Sequence, residues 1–210
     1  VAYAGDNRGN MWKFNLTSAT SSDEWSVAFG GQPFFMARPT TATTQPITTA
    51  PFWMQHPLGG IMLAVGTGQN LTTADRSTTA TESIYALYDN STFSVSGSAV
   101  TLTDALPIND AASNPSLPTS LVQQTVTAML TDTDTASTRY YKSSSNPVVY
   151  SGSSPKRGWY LNWSIPKQRV LQHIRSFSGE KILVRSTVPK IGSSSTADVE
   201  TCTPLPTSEG

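Results

Sequence analysis

Two histidines, one cysteine and a close pair of aspartates are the residues that could do chemistry in this 210-residue sequence. His56 stands before Pro57 in a loop, with no Ser or Cys beside it in a nucleophile's setting. His173 follows Val170-Leu171-Gln172 in an apparent strand. Neither has the partner that acid–base or nucleophilic catalysis requires, so both read as structural. Cys202 sits in a polar terminal segment without an adjacent base, and as the sequence's single cysteine it has no internal disulfide partner. Asp132 and Asp134, in Thr131-Asp132-Thr133-Asp134-Thr135, space two carboxylates as hard-cation loops do. The glycine, the third oxygen ligand and the closing bidentate acid of such a loop are missing, so an ordinary acidic turn fits better. Gly66-Thr67-Gly68 and Gly59-Gly60 introduce no helix whose N-terminus would hold a phosphate, and read as turns. Asp6, in Gly5-Asp6-Asn7-Arg8-Gly9-Asn10, is placed to accept hydrogen bonds from turn amides. No base–nucleophile pair is in reach, and the expectation is a protein without catalysis.

The elements that must carry these residues are strands. Hydrophobic residues make up 37% and charged residues 13%, and Ser and Thr fill the difference. Those hydroxyl side chains compete for backbone hydrogen bonds, and β-branched Thr disfavours helix. Five Trp, seven Tyr and seven Phe give enough bulk to fill cores between sheets. The formal net charge of +0 supplies no field for nucleic acid or an anionic membrane. No apolar run approaches the roughly 20 residues that span a bilayer. The opening residues lack the basic start and apolar stretch of a signal peptide, and Val1 opens in what reads as a strand, as expected of a domain cut from a longer protein. Residues 1–210 read as one partial domain, truncated at both ends.

A pattern recurs three times. Ala2 to Gly5 leads through a polar turn to Met11-Trp12-Lys13-Phe14-Asn15; Leu63 to Gly68 leads through a longer insertion to Ser83-Ile84-Tyr85-Ala86-Leu87-Tyr88-Asp89; Val149 to Gly152 leads to Gly158-Trp159-Tyr160-Leu161-Asn162. Each is a strand ending in glycine, a turn, and an aromatic-rich strand ending in Asn or Asp, a spacing that suits propeller blades. Further strands are expected at Trp25 to Phe29, Ile61 to Val65, Phe93 to Leu102 and Ile182 to Val188, and Ser120 to Thr131 reads as strand rather than helix. Trp12, Trp159 and Trp163 are expected in the core and Trp53 at the surface. The proline-punctuated stretches 33–57 and 103–120 read as long loops and partner-facing surfaces.

The ordered set Tyr3 to Phe14, Gln45-Pro46-Ile47-Thr48-Thr49-Ala50-Pro51, Val65-Gly66-Thr67-Gly68, Ser83 to Asp89, Gly158-Trp159-Tyr160-Leu161, Gln168-Arg169-Val170 and Thr187-Val188-Pro189 resembles the PilY/PilC family of type IV pilus biogenesis factors and tip-associated adhesins. The resemblance covers almost the whole chain. It implies a mainly β fold, a fragment of a modified β-propeller with quinoprotein-like blades, about four of them. It also implies a virulence-linked role in pilus extension, adhesion and twitching motility. The setting would be the outer-membrane surface or pilus tip of a Gram-negative bacterium, reached by secretion through the periplasm. Minor pilins of the tip complex and a host-cell receptor are the implied partners. Calcium is implied for the parent protein, with ligands expected upstream of Val1 and none in this chain. Asn162 and Gln168 depart from the family's usual Asp and Glu. A quinone-dependent dehydrogenase propeller and a purely structural extracellular spacer are the alternatives.

Overall fold

The computed structural model describes residues 1–38, 43–104, 106–108, 120–131, 139–163, 167–172, 174–177, 181–188 and 197–204. His173, Asp132 and Asp134, and nearly all of the proline-rich stretch from 105 to 119, lie outside the described residues. The regular elements described are almost all strands, as the hydroxyl-rich composition predicts.

Four strands form the first sheet: β1 (Ala2–Gly5), β2 (Asn10–Asn15), β3 (Ser26–Val27) and β4 (Phe35–Met36). β1 and β2 are the expected hairpin, antiparallel with Ala4 opposite Trp12, and β2 pairs with β3 at one end and β4 at the other. The next three strands, β5 (Phe52–Gln55), β6 (Ile61–Gly66) and β7 (Ser83–Asp89), run antiparallel in sequence order. β8 (Thr92–Ser96) and β9 (Ala99–Thr103) then make a separate two-stranded hairpin. After β10 (Val122–Gln124) comes another hairpin, β11 (Val126–Thr131) with β12 (Arg139–Ser143). β13 (Gly158–Asn162) inserts between β10 and β7, which completes a five-stranded sheet ordered β10-β13-β7-β6-β5. β14 (Arg175–Phe177), β15 (Lys181–Val188) and β16 (Ala197–Pro204) form an antiparallel three-stranded sheet, with Cys202 opposite Leu183.

The central strands β6, β7 and β13 of the five-stranded sheet are buried on both faces, and β7 is buried along its whole length. One face carries Leu63, Val65, Tyr85, Leu87 and Tyr160 against Met11, Phe34, Phe35 and Ile47 of the first sheet and its connections. The other carries Met62, Ala64, Ile84, Ala86, Trp159 and Leu161 against Tyr141, Val148, Trp163, Val170 and Val184. Strict period-2 alternation across β6, β7 and β13 sends successive side chains into two different cores, so these strands read as continuous apolar runs.

Several expectations are corrected. Trp12 is only half-buried; the inner face of β2 is Met11 and Lys13, both with 0% exposure. The third copy of the repeat lacks its first strand: Val149 to Gly152 is irregular, and β13 pairs instead with β7 antiparallel and β10 parallel. Trp25 to Phe29 is strand only at Ser26–Val27, because Phe29 and Gly30 take positive φ in the turn that follows. Phe93 to Leu102 is a hairpin, not a single strand. Residues 33–57 are no free loop, since Phe34, Phe35, Ala37, Gln45 and Ile47 are all buried. Trp159 and Trp163 are core residues and Trp53 is 66% exposed, as expected.

At the inner end of β6, a methyl group on Gly66 would overlap all three carbons of the branched Val170 side chain, which is itself fully buried. The change Gly66→Ala is therefore expected to lower stability by about 1–3 kcal/mol, the usual cost of overpacking, read as a lower urea midpoint at unchanged slope.

Candidate functional site

The segments that carry the family resemblance, far apart in sequence, meet in space. At the first turn, Asp6 Oδ1 accepts from the amides of Arg8 (2.8 Å) and Asn10 (2.9 Å), and Oδ2 accepts from the Asn10 side chain and the Trp12 indole (2.9 Å each). Burial pushes the Asp6 carboxyl upward, but these donors outweigh it and hold it below the usual carboxylate range. The carboxylate is spent on shaping its own turn. The Asp6 carbonyl also accepts from Ile47 (2.9 Å), which brings the second resembling segment against the first.

Beneath β2 lies a buried charge cluster. Lys13 Nζ stands 2.8 Å from Asp89 Oδ2 and 2.6 Å from Asp104 Oδ1, donates to Ser91 Oγ at 2.7 Å, and lies 5.4 Å from the centre of the Phe29 ring. Asp89, at the end of β7, also accepts from the Tyr3 hydroxyl (2.6 Å), the Ser91 amide (2.9 Å) and the Ser91 hydroxyl (2.6 Å). Burial raises the Asp89 carboxyl, yet the bonds from Lys13, Ser91 and Tyr3 together leave it below its ordinary value. Tyr3 is driven well above the ordinary phenol range by burial and by the neighbouring Asp89.

A second, uncharged network lies one strand length away. Gln45 Nε2 donates to the Thr81 carbonyl and to Ser83 Oγ at 2.7 Å each, while its Oε1 accepts from the Tyr85 hydroxyl. Ser83 Oγ in turn donates to Asn162 Oδ1 at 2.6 Å. An acceptor is what this position needs, and Asn supplies one without a charge.

The third centre is a clamp. The Val170 amide donates to the Thr67 carbonyl and the Gly68 amide to the Pro46 carbonyl, which stacks 167–170 on 66–68 and 46–48. Gly68 has φ +135°, and a side chain there would strike Arg169. Arg169 is 1% exposed and spends its guanidinium on backbone carbonyls: Lys167 (3.1 Å), Gln69 (2.6 Å), Asp75 (2.8 Å) and Thr78 (3.3 Å). Those carbonyls belong mostly to the insertion between β6 and β7. Buried Asp75 ties the same insertion from inside, accepting from the amides of Leu71 (2.8 Å) and Thr72 (2.7 Å) and from Gln69 Nε2 (2.8 Å). Glu82, which closes the insertion, is buried, and its Oε2 has no hydrogen-bond partner among the described residues. Burial pushes its carboxyl up to about 7, against the opposing pull of Thr67 and Arg169.

Of the residues that sequence reasoning singled out for chemistry, Asp132, Asp134 and His173 lie outside the described residues. His56 is buried at the β5–β6 turn, where Nδ1 accepts from the Leu58 amide and the ring packs between Tyr88 and Tyr150. Burial lowers its imidazole below the ordinary value. Among the described residues no group of three His, Cys, Asp or Glu side chains is placed to hold a metal. Sequence reasoning missed Lys13, Glu82 and Arg169. Lys13 was legible only as the polar half of an alternating strand, and Arg169 only as part of a resembling tripeptide.

A family model described as the PilY1 beta-propeller domain matches residues 1–109. The type IV pilus biogenesis factor PilY1 of Pseudomonas aeruginosa PAO1 is 30% identical over 187 residues, covering 78% of this chain and 15% of that protein. A PilY1 homolog of Xylella fastidiosa is 26% identical over 120 residues, 55% of this chain and 8% of that protein. The chain thus spans a small fraction of these relatives' length. The crystal structure of the Pseudomonas aeruginosa PilY1 C-terminal domain superposes with a TM-score of 0.69 at 26% identity, covering 89% of this chain and 41% of that one. The open sheets described above are a propeller fragment. Among the described residues no helix is long and apolar enough to cross a membrane.

Two outcomes follow from the buried charges. Lys13→Met strands two carboxylates and is expected to cost about 3–5 kcal/mol, while adding Asp89→Asn costs less than the sum of the single changes in a double-mutant cycle. Glu82 has the opposite pH sense to Asp89, whose carboxyl is held below its ordinary value. Its folded pKa of about 7 lies above the unfolded value of 4.5, so its favourable contribution is complete below about 4.5 and is lost as pH rises through 7. Glu82→Gln is expected to flatten the fall in melting temperature between pH 5 and pH 8, as about 1.4 kcal/mol per shifted pKa unit requires.

Proposed function

The chain belongs to the PilY1 β-propeller family, and from that premise we propose that it is a non-enzymatic binding and assembly module of type IV pilus biogenesis. The observation that carries the reading is the coincidence of two patterns. Residues 1–109 match the family model, and within them the segments on which the sequence resemblance rests, 3–14, 45–51, 65–68 and 83–89, are joined by hydrogen bonds and a buried ion pair. The residues that carry the resemblance hold sheets together, which suits a scaffold whose contacts lie on its exterior. In this reading the module supports pilus extension, attachment to host surfaces and twitching motility. It works outside the cell at the outer-membrane surface or pilus tip, in contact with minor pilins, and any calcium the parent protein takes is bound outside this chain.

Deleting the coding region in the producing bacterium is expected to remove surface pili and shrink twitching zones, both restored by the full-length copy. A strain that keeps normal piliation and twitching after the deletion overturns the reading.

A further inference from the structure

The Lys13 cluster holds more acid than neutrality requires. One ammonium is balanced by one carboxylate, yet Nζ touches two, Asp89 Oδ2 at 2.8 Å and Asp104 Oδ1 at 2.6 Å. The lysine and Asp89 side chains are 0% and 2% exposed, whereas Asp104 keeps 27%. The Phe29 ring, 5.4 Å from Nζ, covers another side of the amine. An amine pressed against a carboxyl group in a dry site is the reactant pair for an amide bond. In water the two groups stay ionised and hydrated, and the encounter is brief. Burial removes that hydration and favours a neutral pair over two separate charges. Holding the groups in contact turns a meeting of two molecules into an internal step, and exclusion of water guards the product against hydrolysis.

The two carboxylates are equipped for different parts in that step. Asp89 Oδ1 accepts from the Ser91 amide (2.9 Å) and the Ser91 hydroxyl (2.6 Å), and Oδ2 accepts from the Tyr3 hydroxyl (2.6 Å). A carboxylate resists attack because its charge is spread over the group; these donors draw the charge onto the oxygens and leave the carbon more open. They also face the position where an oxyanion would develop. Asp104 is the nearer carboxylate to Nζ and the one in touch with solvent, which suits a group that takes up and passes on a proton.

We propose that Lys13 and Asp89 form an intramolecular isopeptide bond, with Asp104 as the proton carrier. The side chains stand unjoined at ion-pair distance, which is the reactant state. Asp104 takes one proton from the ammonium, and the free amine attacks Cγ of Asp89. The charge of the tetrahedral intermediate gathers on Oδ1 against the Ser91 donors. Oδ2 then leaves as water, and both of its protons come from Nζ: one carried by Asp104, the other released by the nitrogen as the amide forms. One C–N bond is made, one C–O bond is broken, and nothing is oxidised or reduced. The product ties the inner face of β2 to the end of β7 covalently.

The test is a tryptic map of the full-length folded protein purified from the producing bacterium. The expected result is one branched peptide holding Lys13 and Asp89, lighter by one water than its two linear parts together and uncut after Lys13. Fragment ions place the bond on those two side chains. Wild-type protein that yields the Lys13 and Asp89 peptides separately and unmodified overturns the proposal, whatever the variants do. Lys13→Arg keeps a cation between the carboxylates and is expected to abolish the branched peptide. Asp104→Asn is expected to slow its appearance after a pulse of synthesis by about 100-fold or more, with an unchanged far-UV spectrum, and Asp104→Glu to restore it. An unchanged rate in Asp104→Asn overturns the role given to Asp104. A branch found on Asp104 in the wild type overturns the choice of Asp89.

Discussion

A lysine ammonium with no solvent exposure has to be answered by anions at hydrogen-bond distance, and Lys13 is answered by Asp89 and Asp104. That requirement fixes more than one pair. Lys13 stands on the inner face of β2 beside Met11, so the face of the first sheet that enters the core must abut the end of β7. Tyr3, from β1, reaches the same carboxylate, and Ser91, just past β7, accepts from the lysine while donating to the aspartate. Apolar contact between the sheets, such as Phe35 on Tyr85 with ring centres 4.8 Å apart, has no direction of its own. The charge cluster supplies it.

The same economy runs through the whole chain. Only 13% of its residues are charged, yet Lys13, Asp75, Glu82, Asp89 and Arg169 are all buried. Lys13 sits inside β2, and the others sit at an end of a strand or in a connection, where backbone groups leave the sheet ladder and need other partners. Ser and Thr complete these networks: Ser83 between Gln45 and Asn162, Ser91 between Lys13 and Asp89, Thr67 against Ser83. Part of a composition that reads as merely polar forms, in three dimensions, buried networks that specify one arrangement of sheets where hydrophobic fit alone permits several.

How much of this was legible in the sequence differs from element to element. The β1–β2 hairpin and the β6–β7 pair were readable because glycine, turn and alternating strand are local signals. The third copy failed because its first strand depended on the pairing it would find. β13 takes β7 and β10 as neighbours, and a parallel partner 37 residues away (Val122 opposite Trp159) leaves no local trace. Trp12 and Lys13 were inverted for a different reason. Size and hydrophobicity argue for tryptophan inside, but Asp6 offers the indole N–H an acceptor at the rim, while the two carboxylates that draw Lys13 inward are 76 and 91 positions along the chain. The stretch 33–57 looked like a loop because its prolines break strands. Its Phe34, Phe35 and Ile47 nonetheless pack as core, in extended backbone that forms few ladders.

The clamp joins interior to exterior. Arg169 leans against Gly68, so the contact that seats 167–170 on the end of β6 is made by the same residue that holds the carbonyls of the β6–β7 insertion. The shape of the exposed loop is therefore set from the core, and a change at Gly68 or Arg169 alters both at once. The loop's tip is different: the amides of Leu71 and Thr72 turn inward to Asp75 and the Thr72 hydroxyl accepts from the Asp75 amide, while the Leu71 side chain is exposed. The β8–β9 hairpin shows the contrast. Phe93, Val95 and Val100 are also exposed, but they ride on a separate two-stranded sheet. Exposure alone does not distinguish the two surfaces. What separates them is the buried aspartate and arginine under the loop, which make its conformation a property of the folded core rather than of whatever it meets.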